Sequence, residues 1–481
     1  MKQVRTRFAP SPTGLLHVGG IRTALFAWLL ARQNNGAFIL RLEDTDQKRE
    51  MTGADKHLMD SLKALGLQYD EGPDKPGEFG PYRQSERLES YQKWAKRLID
   101  AGRAYADPYT AAEVQAFREQ AQKDKKPFLY RNHRPENPPV WDGTQPLRFK
   151  SEPKAYTWHD EVMGDISTGP EVVDDFILIK SDGYPTYNFA HIVDDAEMEI
   201  SHIIRGQEFV ASMPNYLNLY EALKLERPLF ATMPHILNEQ GNKKLSKRDG
   251  AKDVLDYIRE GYLPEALRSF IATLGWNDGS KQEVFTTDEL IEKFTLDRVG
   301  KSGAHFDERR LLWTNGQFIR DMSLDNLYKQ VVDFWPEEAK SSDDIYKKAV
   351  LGLVQERLKF FAELPELTRF FFVDLPVNPA LTDEHKQLKK LEKSELRSLL
   401  QTCRDRLAET EFSVDALQTE LNKLLESSGQ KPAVLFSLVR IATTQAASSP
   451  GLAESMAVLG KETSLRRIDE QLAALASTQQ G

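Results

Sequence analysis

Residues 8–20 read FAPSPTGLLHVGG, a proline- and glycine-rich turn with a histidine near its end. The apolar run before the turn predicts a strand over residues 4–8. After the turn, apolar residues recur at the spacing of one buried helix face: Ile21, Ala24, Leu25, Trp28 and Leu29. Amides at a helix N-terminus favour anions, and glycines let a phosphate approach the main chain. The stretch therefore predicts a phosphate-binding turn between a strand and a helix, although it is neither a Walker-A motif nor a GxGxxG motif.

A second strand is predicted at residues 37–42, and it runs directly into the acidic sequence EDTD at residues 43–46. A strand–helix–strand order favours a parallel, doubly wound sheet, whose ligands bind at the carboxyl ends of the strands. Glu43 is therefore expected near His17. Taken alone, the acidic cluster favours a solvated turn that carries capping aspartates, whereas beside the first motif it favours a functional site.

Composition excludes several classes of protein. A chain of 481 residues is too long for one core and predicts several domains. No apolar run is long enough to span a membrane, and no secretory signal follows Met1. The single cysteine, Cys403, lies on an apolar stripe, which predicts a buried packing role, and the cytosol is the expected compartment. The net charge of −9 does not exclude nucleic acid, because a local basic surface can bind phosphates.

Two basic segments are candidates for contact with phosphates. Residues 118–134 combine cations with Phe128 and Tyr130, a pattern that suits single-stranded nucleic acid but also ordinary solvated surface. Residues 241–250 read GNKKLSKRDG, in which cations between glycines predict a loop that closes over a polyphosphate. Without further context, the second segment is equally a solvated basic patch or a localisation signal.

These motifs together resemble the class I aminoacyl-tRNA synthetases of the glutamyl and glutaminyl subclass. The string PSPTGLLHVGG at residues 10–20 is similar to the family's HIGH signature, and KLSKR at residues 244–248 is similar to its KMSKS loop. The sequence GPYRQS at residues 80–85 also resembles glutamyl-type members. A helical pattern after residue 325 is similar to bacterial glutamyl enzymes, whereas glutaminyl enzymes end in β-barrels.

The resemblance implies a Rossmann-type doubly wound parallel sheet with an inserted α+β acceptor-binding domain, followed by an all-α anticodon-binding region. The expected segments are the first half of the catalytic domain at 1–102, the insertion at 103–180, the second half at 181–240, the KLSKR loop and stem-contact region at 241–325, and helical subdomains at 326–375 and 376–481. Within the last region, Leu351, Val354, Leu358 and Phe361 are expected on one helix. Some relatives hold zinc in the insertion, but RAYAD at residues 103–107 offers no cysteine, so no zinc is expected.

The resemblance assigns L-glutamate to five residues. A γ-carboxylate needs a cation, and a guanidinium gives the planar two-bond fit that separates an acid from an amide. Arg7 and Arg205 match the family positions for this contact, while Glu43 matches the position that takes the α-ammonium. Ser11 and Tyr187 would supply hydroxyl groups. Considered alone, Arg205 could instead be a structural ion-pair partner.

The resemblance assigns ATP, bound with Mg²⁺, to both motifs: Thr13, His17, Gly19, Gly20, Lys244, Leu245, Ser246 and Lys247. His17 is expected to donate a hydrogen bond to phosphate oxygens, and Lys247 to hold the β- and γ-phosphates; these two are the expected catalytic residues. Asp46 and Arg357 are expected to contact tRNA, the latter at the third anticodon base. His191 departs from the family and either lines the pocket or packs.

The implied activity is ATP-dependent ligation of glutamate to the 3′ end of tRNA(Glu) through glutamyl-adenylate, by a monomer without a membrane partner. The main alternative is a non-discriminating enzyme that also charges tRNA(Gln). The helical C-terminus argues against a truncated queuosine-type paralogue, a glutaminyl enzyme and a metabolite adenylyltransferase. Intact His17 and Lys247 argue against a catalytically dead RNA-binding paralogue.

Overall fold

The computed structural model describes residues 3–14, 16–245, 252–446 and 448–477. Ser246 and Lys247, to which the sequence assigned ATP contacts, therefore lie outside the described residues. Contacts divide the chain into two compact units, residues 1–259 with 264–311 and residues 260–263 with 312–481. Among the described residues, no helix is both long and apolar enough to cross a membrane.

A parallel sheet forms the centre of the first unit. Its strands are β1 (Arg5–Phe8), β2 (Ala37–Leu40), β8 (His202–Gly206) and β9 (Leu229–Met233), in the spatial order β2-β1-β8-β9. Each neighbouring pair is parallel. The chain moves outward from β1 to β2 in one direction and from β8 to β9 in the other, and such crossovers are right-handed. Helices therefore cover both faces, and the predicted doubly wound sheet is confirmed.

Helix α1 (Val18–Gln33) joins β1 to β2 and buries most of its length because its apolar residues occupy nearly every face. The connection from α1 to β2 passes close to the backbone of Val4 at Gly36. A Cβ on Gly36 would lie 2.1 Å from the Val4 carbonyl oxygen, so a side chain at this position cannot be accommodated without movement of the backbone. Helices α3 (Leu88–Asp100), α5 (Tyr187–Glu197) and α6 (Met213–Ala222) supply the apolar core on the other face of the sheet, against Ile39 and Ile203.

The segment between the two halves of the sheet has its own architecture. Strands β3 (Ala104–Ala106), β4 (Leu147–Phe149) and β7 (Ile177–Ile179) form an antiparallel sheet, and β5 (Tyr156–Asp160) and β6 (Gly164–Thr168) form a hairpin. Two further short strands pair in parallel, β10 (Ile236–Leu237) with β11 (Ala304–His305). The remaining helices of the first unit are α2 (Ala54–Ala64), α3 (Leu88–Asp100), α4 (Ala111–Lys123), α5 (Tyr187–Glu197), α6 (Met213–Ala222), α7 (Val254–Arg259), α8 (Pro264–Ala272) and α9 (Thr287–Lys293).

The second unit is helical over the residues that the structure describes. Its helices begin with α10 (Glu308–Asp321), which starts in the first unit, and continue with α11 (Leu324–Gln330), α12 (Asp344–Val354), α13 (Leu364–Thr368), α14 (Ala380–Asp383), α15 (Lys393–Glu409), α16 (Val414–Ser428), α17 (Pro432–Thr444), α18 (Leu452–Leu459) and α19 (Lys461–Ser477). Cys403 is buried on α15, and burial raises the pKa of its thiol to about 12. The thiol is therefore a packing group.

One helix is shorter than the sequence predicts. Leu351 and Val354 lie on α12, but the helix ends there, and Leu358 and Phe361 follow outside it. All four side chains are buried, so the apolar pattern was right and the single helix was wrong. The side chain of Gln355 donates hydrogen bonds to the carbonyl oxygens of Ile319, Arg320 and Met322, at 2.9, 3.4 and 2.8 Å. These contacts accompany the change to a 3₁₀ turn over Gln355–Arg357.

Candidate active site

A cavity of about 560 Å³ opens at the carboxyl ends of the parallel strands. Residues that end or follow each of the four strands line it, among them Phe8, Ser11, Thr13, His17, Gly19 and Gly20 at or after β1, Glu43 after β2, Arg205 and Phe209 at or after β8, and Met233 to Ile236 at or after β9. The cavity lies where strand order reverses between β1 and β8, which is where open α/β sheets bind their ligands. Sheet topology therefore brings both halves of the predicted site together.

His17 is the N-cap of α1. Its Nδ1 accepts the backbone N–H of Gly19 at 3.1 Å and that of Gly20 at 3.4 Å. An imidazole that accepts through Nδ1 carries its proton on Nε2, which is the tautomer that donates to a phosphate oxygen. The backbone amides of Gly19 and Gly20, which the sequence predicted to bind phosphate, are thus bonded to the imidazole. The turn presents a histidine donor in addition to the positive end of the helix.

Arg7 belongs to a buried network of charges beneath the cavity. Its guanidinium donates two hydrogen bonds to Asp195, at 3.1 and 3.4 Å, and Arg41 donates to the same carboxylate at 2.7 Å. Burial alone would raise the pKa of Asp195, but Arg41 and Arg7 outweigh burial and hold that pKa well below its ordinary value. Arg41 also donates to Glu43 at 2.9 Å. Arg7 is therefore compensated within the protein.

Glu43 is a carboxyl group close to its titration point at neutral pH. Burial raises the pKa of Glu43 to about 7, although Arg41 and Arg7 both act to lower it. The side chain lies in the cavity lining and is almost inaccessible to solvent. A cationic ligand at this position would favour its ionised form.

Arg205 differs from Arg7 because its partners are uncharged. The guanidinium is buried in the cavity lining, donates through Nη2 to the thioether sulfur of Met213, and has no partner for Nη1. Its carbon lies 5.1 Å from the ring centre of Tyr216 and 5.4 Å from that of Phe209. Among the residues that the structure describes, no carboxylate forms an ion pair with it. The structural ion-pair alternative therefore finds no support here.

Tyr187 and His191 pack beside this guanidinium. The Tyr187 ring stacks on Phe209 with centres 5.3 Å apart and lines the cavity. His191 lies one helical turn later on α5, fully buried between the rings of Tyr187 and Tyr216, at 4.8 and 4.6 Å. Its two nitrogens have no hydrogen-bond partner, and burial lowers its pKa to about 4. His191 packs against the pocket rather than lining it.

The other predicted residues are placed as follows. Ser11, Thr13, Gly19, Gly20 and Lys244 line the cavity, whereas Leu245 does not and instead donates its N–H to the Ile236 carbonyl at 2.8 Å. Asp46 lies away from the cavity lining and pairs with Arg49 at 2.5 Å. Arg357 is exposed in the second unit, beside a separate cavity of about 440 Å³. No group of three or more potential metal ligands occurs among the described residues.

Sequence reasoning missed several site residues. Arg41 and Asp195 connect Arg7 to Glu43. In the sequence, Arg41 stands out as a charged residue directly after an apolar strand, and Asp195 as a charged residue inside an apolar helix. Arg22 lines the cavity from α1 and donates to the carbonyl oxygens of Pro234 and Leu274. Burial lowers the pKa of Arg22 to about 10. Its signal was a lone cation on the buried stripe of α1.

Comparison with known proteins agrees with this geometry. Residues 3–313 match the catalytic domain of the class I tRNA synthetases for E and Q, and residues 326–472 match an anticodon binding domain. The chain belongs to this family. It is an enzyme of the class I aminoacyl-tRNA synthetases, and the expected class, a glutamate–tRNA ligase, is confirmed by relatives that match over nearly the whole chain.

Those relatives include the glutamate–tRNA ligase of Moorella thermoacetica, which is 39% identical over 98% of each chain. The glutamate–tRNA ligase of Clostridium novyi is 40% identical over 97% of each chain. Among solved structures, a glutamate tRNA ligase from Elizabethkingia meningosepticum in complex with its amino acid superposes with a TM-score of 0.86 and 31% identity. That alignment covers 98% of this chain and 100% of the other.

Proposed function

We propose that the enzyme ligates L-glutamate to the 3′ end of tRNA(Glu) in two steps through glutamyl-adenylate. The observation that carries the proposal is that one cavity holds both a buried carboxyl group, Glu43, and a buried guanidinium, Arg205, that pairs with no carboxylate among the described residues. Arg205 takes the γ-carboxylate of glutamate, and Glu43 takes its α-ammonium. Arg7, already bound to Asp195, supplies a second cation, while Ser11 and Tyr187 contribute hydroxyl groups.

In the first step, the α-carboxylate of glutamate attacks the α-phosphate of ATP. The phosphorus becomes five-coordinate, pyrophosphate leaves with the bonding electron pair, and glutamyl-adenylate remains. His17 donates from Nε2 to the phosphate oxygens as their charge develops. Lys244 and Lys247 counter the charge of the departing pyrophosphate, and Mg²⁺ enters as part of the ATP substrate complex. Thr13, Gly19, Gly20, Leu245 and Ser246 complete the proposed ATP contacts.

In the second step, the terminal adenosine hydroxyl of tRNA attacks the acyl carbon. The ester bond forms, the attacking hydroxyl group loses its proton, and the bond to AMP breaks, so that AMP leaves. We propose that the tRNA binds before the adenylate forms, as the family resemblance implies. Four of the six segments expected from the sequence would contact tRNA: the insertion at 103–180 at the acceptor end, the region at 241–325 at the stem, and the helical segments at 326–375 and 376–481 at the anticodon. Asp46, in the first half of the catalytic domain, would add a further tRNA contact.

We also propose that the enzyme discriminates for tRNA(Glu) and acts as a cytoplasmic monomer. Discrimination rests on Arg357, an exposed cation beside the second-unit cavity that Arg320 and Lys359 also line. The test is aminoacylation with purified tRNA(Glu) and tRNA(Gln), each with glutamate and with glutamine. The proposal expects charging of tRNA(Glu) with glutamate alone. Comparable charging of tRNA(Gln) with glutamate would overturn discrimination.

The catalytic assignment has a separate test. Lys247→Ala is expected to slow glutamyl-adenylate formation about 100-fold or more, since it removes a cation from the departing pyrophosphate. Binding of tRNA should be unchanged. Lys243→Ala, a neighbouring cation outside the KLSKR string, serves as the matched control and should retain most of the rate. Equal rates for the wild type and Lys247→Ala would remove Lys247 from the mechanism.

A further inference from the structure

Among the residues that the structure describes, the side chains in contact with the Arg205 guanidinium are all uncharged. Met213 accepts one N–H through its sulfur, and three aromatic rings face the guanidinium carbon: Tyr216 at 5.1 Å, Phe209 at 5.4 Å and Phe230 at 5.8 Å. We call these four side chains the uncharged cage. Aromatic faces attract a cation, and a thioether is a weak acceptor. The cage therefore holds the cation without neutralising it.

We propose that this uncharged cage, with Met213 as its key member, sets the enzyme's preference for glutamate over glutamine. The inference rests on the proposed function of Arg205 as the γ-carboxylate contact. It extends that function by assigning specificity to residues whose own side chains would not pair with glutamate. Met213, the first residue of α6, acts as a positioning residue through Arg205.

Glutamate and glutamine differ in how well they satisfy the charge and the hydrogen-bond donors of the Arg205 guanidinium. A carboxylate supplies both a compensating charge and two acceptor oxygens in the planar geometry of the fork, whereas an amide supplies one oxygen, no charge and two donors. In a buried site the difference grows, because water does not screen the uncompensated cation. If the protein supplied an acceptor of its own, Arg205 would be satisfied before substrate arrived. The penalty for binding glutamine would then fall.

Neighbouring contacts keep the cage rigid and uncharged. The Tyr216 hydroxyl donates to Asn188 at 2.7 Å, which fixes the ring that faces Arg205. Behind Tyr216, buried His191 adds no charge at neutral pH, because burial lowers its pKa to about 4 and nearby Arg205 acts in the same direction. By contrast, the other arginine of the proposed glutamate site, Arg7, already carries its carboxylate partner, Asp195. The two arginines therefore have different tasks.

The test is a series at position 213 in the full-length enzyme. Met213→Leu removes the thioether acceptor but keeps the cage uncharged and of similar size, so it is the matched comparison, and its glutamate-to-glutamine ratio of kcat/KM should stay close to that of the wild type. Met213→Gln adds a neutral acceptor and Met213→Glu adds a carboxylate. We expect kcat/KM for glutamate to fall about tenfold and at least about 100-fold respectively, the range for hydrogen bonds to charged groups. The glutamate-to-glutamine ratio of kcat/KM should fall in parallel, while KM for ATP stays constant.

Two further measurements separate the possible outcomes. Melting temperatures establish whether each variant folds. If Met213→Glu does not fold, Met213→Gln still tests the inference. Arg205→Met is assayed alongside. If Arg205→Met keeps wild-type kcat/KM for glutamate, the proposed role of Arg205 fails. If Arg205→Met loses activity while folded Met213→Gln keeps the wild-type glutamate-to-glutamine ratio, the role of Arg205 stands and the cage inference is overturned.

Discussion

At the scale of single residues, His17 combines two tasks that a single alanine substitution would confuse. Its Nδ1 caps α1, and the proposed contact with phosphate uses Nε2. His17→Asn should preserve the cap, because asparagine is among the best N-cap residues, but it removes the imidazole donor. His17→Ala should lose both, with a cost of about 1 kcal/mol in the free energy of unfolding.

Denaturant unfolding and the rate of adenylate formation, measured on both variants, distinguish the tasks. We expect both rates to fall about 100-fold or more, while only His17→Ala loses stability. A His17→Asn enzyme with a wild-type rate would contradict the proposed donor role, since asparagine restores the cap alone.

Glu43 predicts a pH dependence of glutamate binding. Because the pKa of Glu43 is about 7, this carboxylate, proposed to receive the α-ammonium of glutamate, is progressively protonated below pH 7. The apparent Kd for glutamate should therefore rise as pH falls, approaching tenfold per pH unit below about pH 7, and should level off above it. Calorimetric titration of the enzyme with glutamate from pH 5.5 to 8 measures the effect.

Glu43→Gln is the control for this titration. The variant should bind glutamate weakly and without the inflection near pH 7, because the titrating group is gone. An inflection that persists in the variant would assign the pH dependence to another group.

At the same scale, the sequence supplied candidate site residues but not the residues that support them. His17 was proposed from a motif, and Arg7 and Arg205 from the family resemblance together with the chemistry of a carboxylate ligand. The partnership of Arg7 with Asp195 could not be proposed in this way, because the two residues are 188 positions apart and meet only when β1 lies beside β8. Which arginine stays unpaired is a property of packing, and no local pattern encodes it.

At the scale of elements, the connection from α1 to β2 depends on Gly36. Gly36→Ala should destabilise the protein by about 1–3 kcal/mol, because its Cβ would meet the Val4 carbonyl oxygen at 2.1 Å. Gly352→Ala is the contrasting control. A Cβ there meets only Leu324, at 3.7 Å, at an exposed position of α12.

Alanine is the better helix former, so Gly352→Ala should stabilise by up to about 1 kcal/mol. Thermal unfolding of the two variants measures the difference. Equal melting temperatures for both would show that the backbone near Val4 yields at little cost.

The elements also show where periodicity stops being informative. The stripe through Leu351, Val354, Leu358 and Phe361 gave the buried residues correctly but not the end of α12. The end coincides with the hydrogen bonds from Gln355 to three carbonyl groups of another segment. An apolar stripe reports which side chains face a core, whereas a helix end also depends on polar contacts made in three dimensions.

At the scale of the molecule, we propose that the second unit selects the tRNA and that the first unit catalyses aminoacylation. Arg357→Gln should therefore raise the ratio of tRNA(Gln) to tRNA(Glu) charging about tenfold, the scale of one base contact, with KM for glutamate and ATP unchanged. Arg320→Gln, a cation that lines the same cavity, is the matched control and should weaken both tRNAs about equally. Aminoacylation kinetics with both tRNAs decide between these outcomes. Unchanged selectivity in Arg357→Gln would remove this residue from anticodon reading.

The general architecture was predictable at this scale because strand–helix–strand patterning and right-handed crossovers leave few alternatives. The order β2-β1-β8-β9 was not, because β8 joins β1 only after the long stretch between Leu40 and His202, which includes an insertion with its own antiparallel sheet. Local patterns cannot state which distant strand completes a sheet.

Because β1 pairs with β8, the central sheet can be completed only late in the synthesis of the chain. Arg7 leaves the ribosome long before Asp195, its buried partner, and Arg205 follows later still. Until then the cation on β1 has no carboxylate, and the first half-sheet has an open edge beside it. Such long-range pairing is slow to form, because loop closure must precede the stabilising contacts. The nascent chain therefore acquires the cavity at the ends of these strands only after the whole insertion has been synthesised.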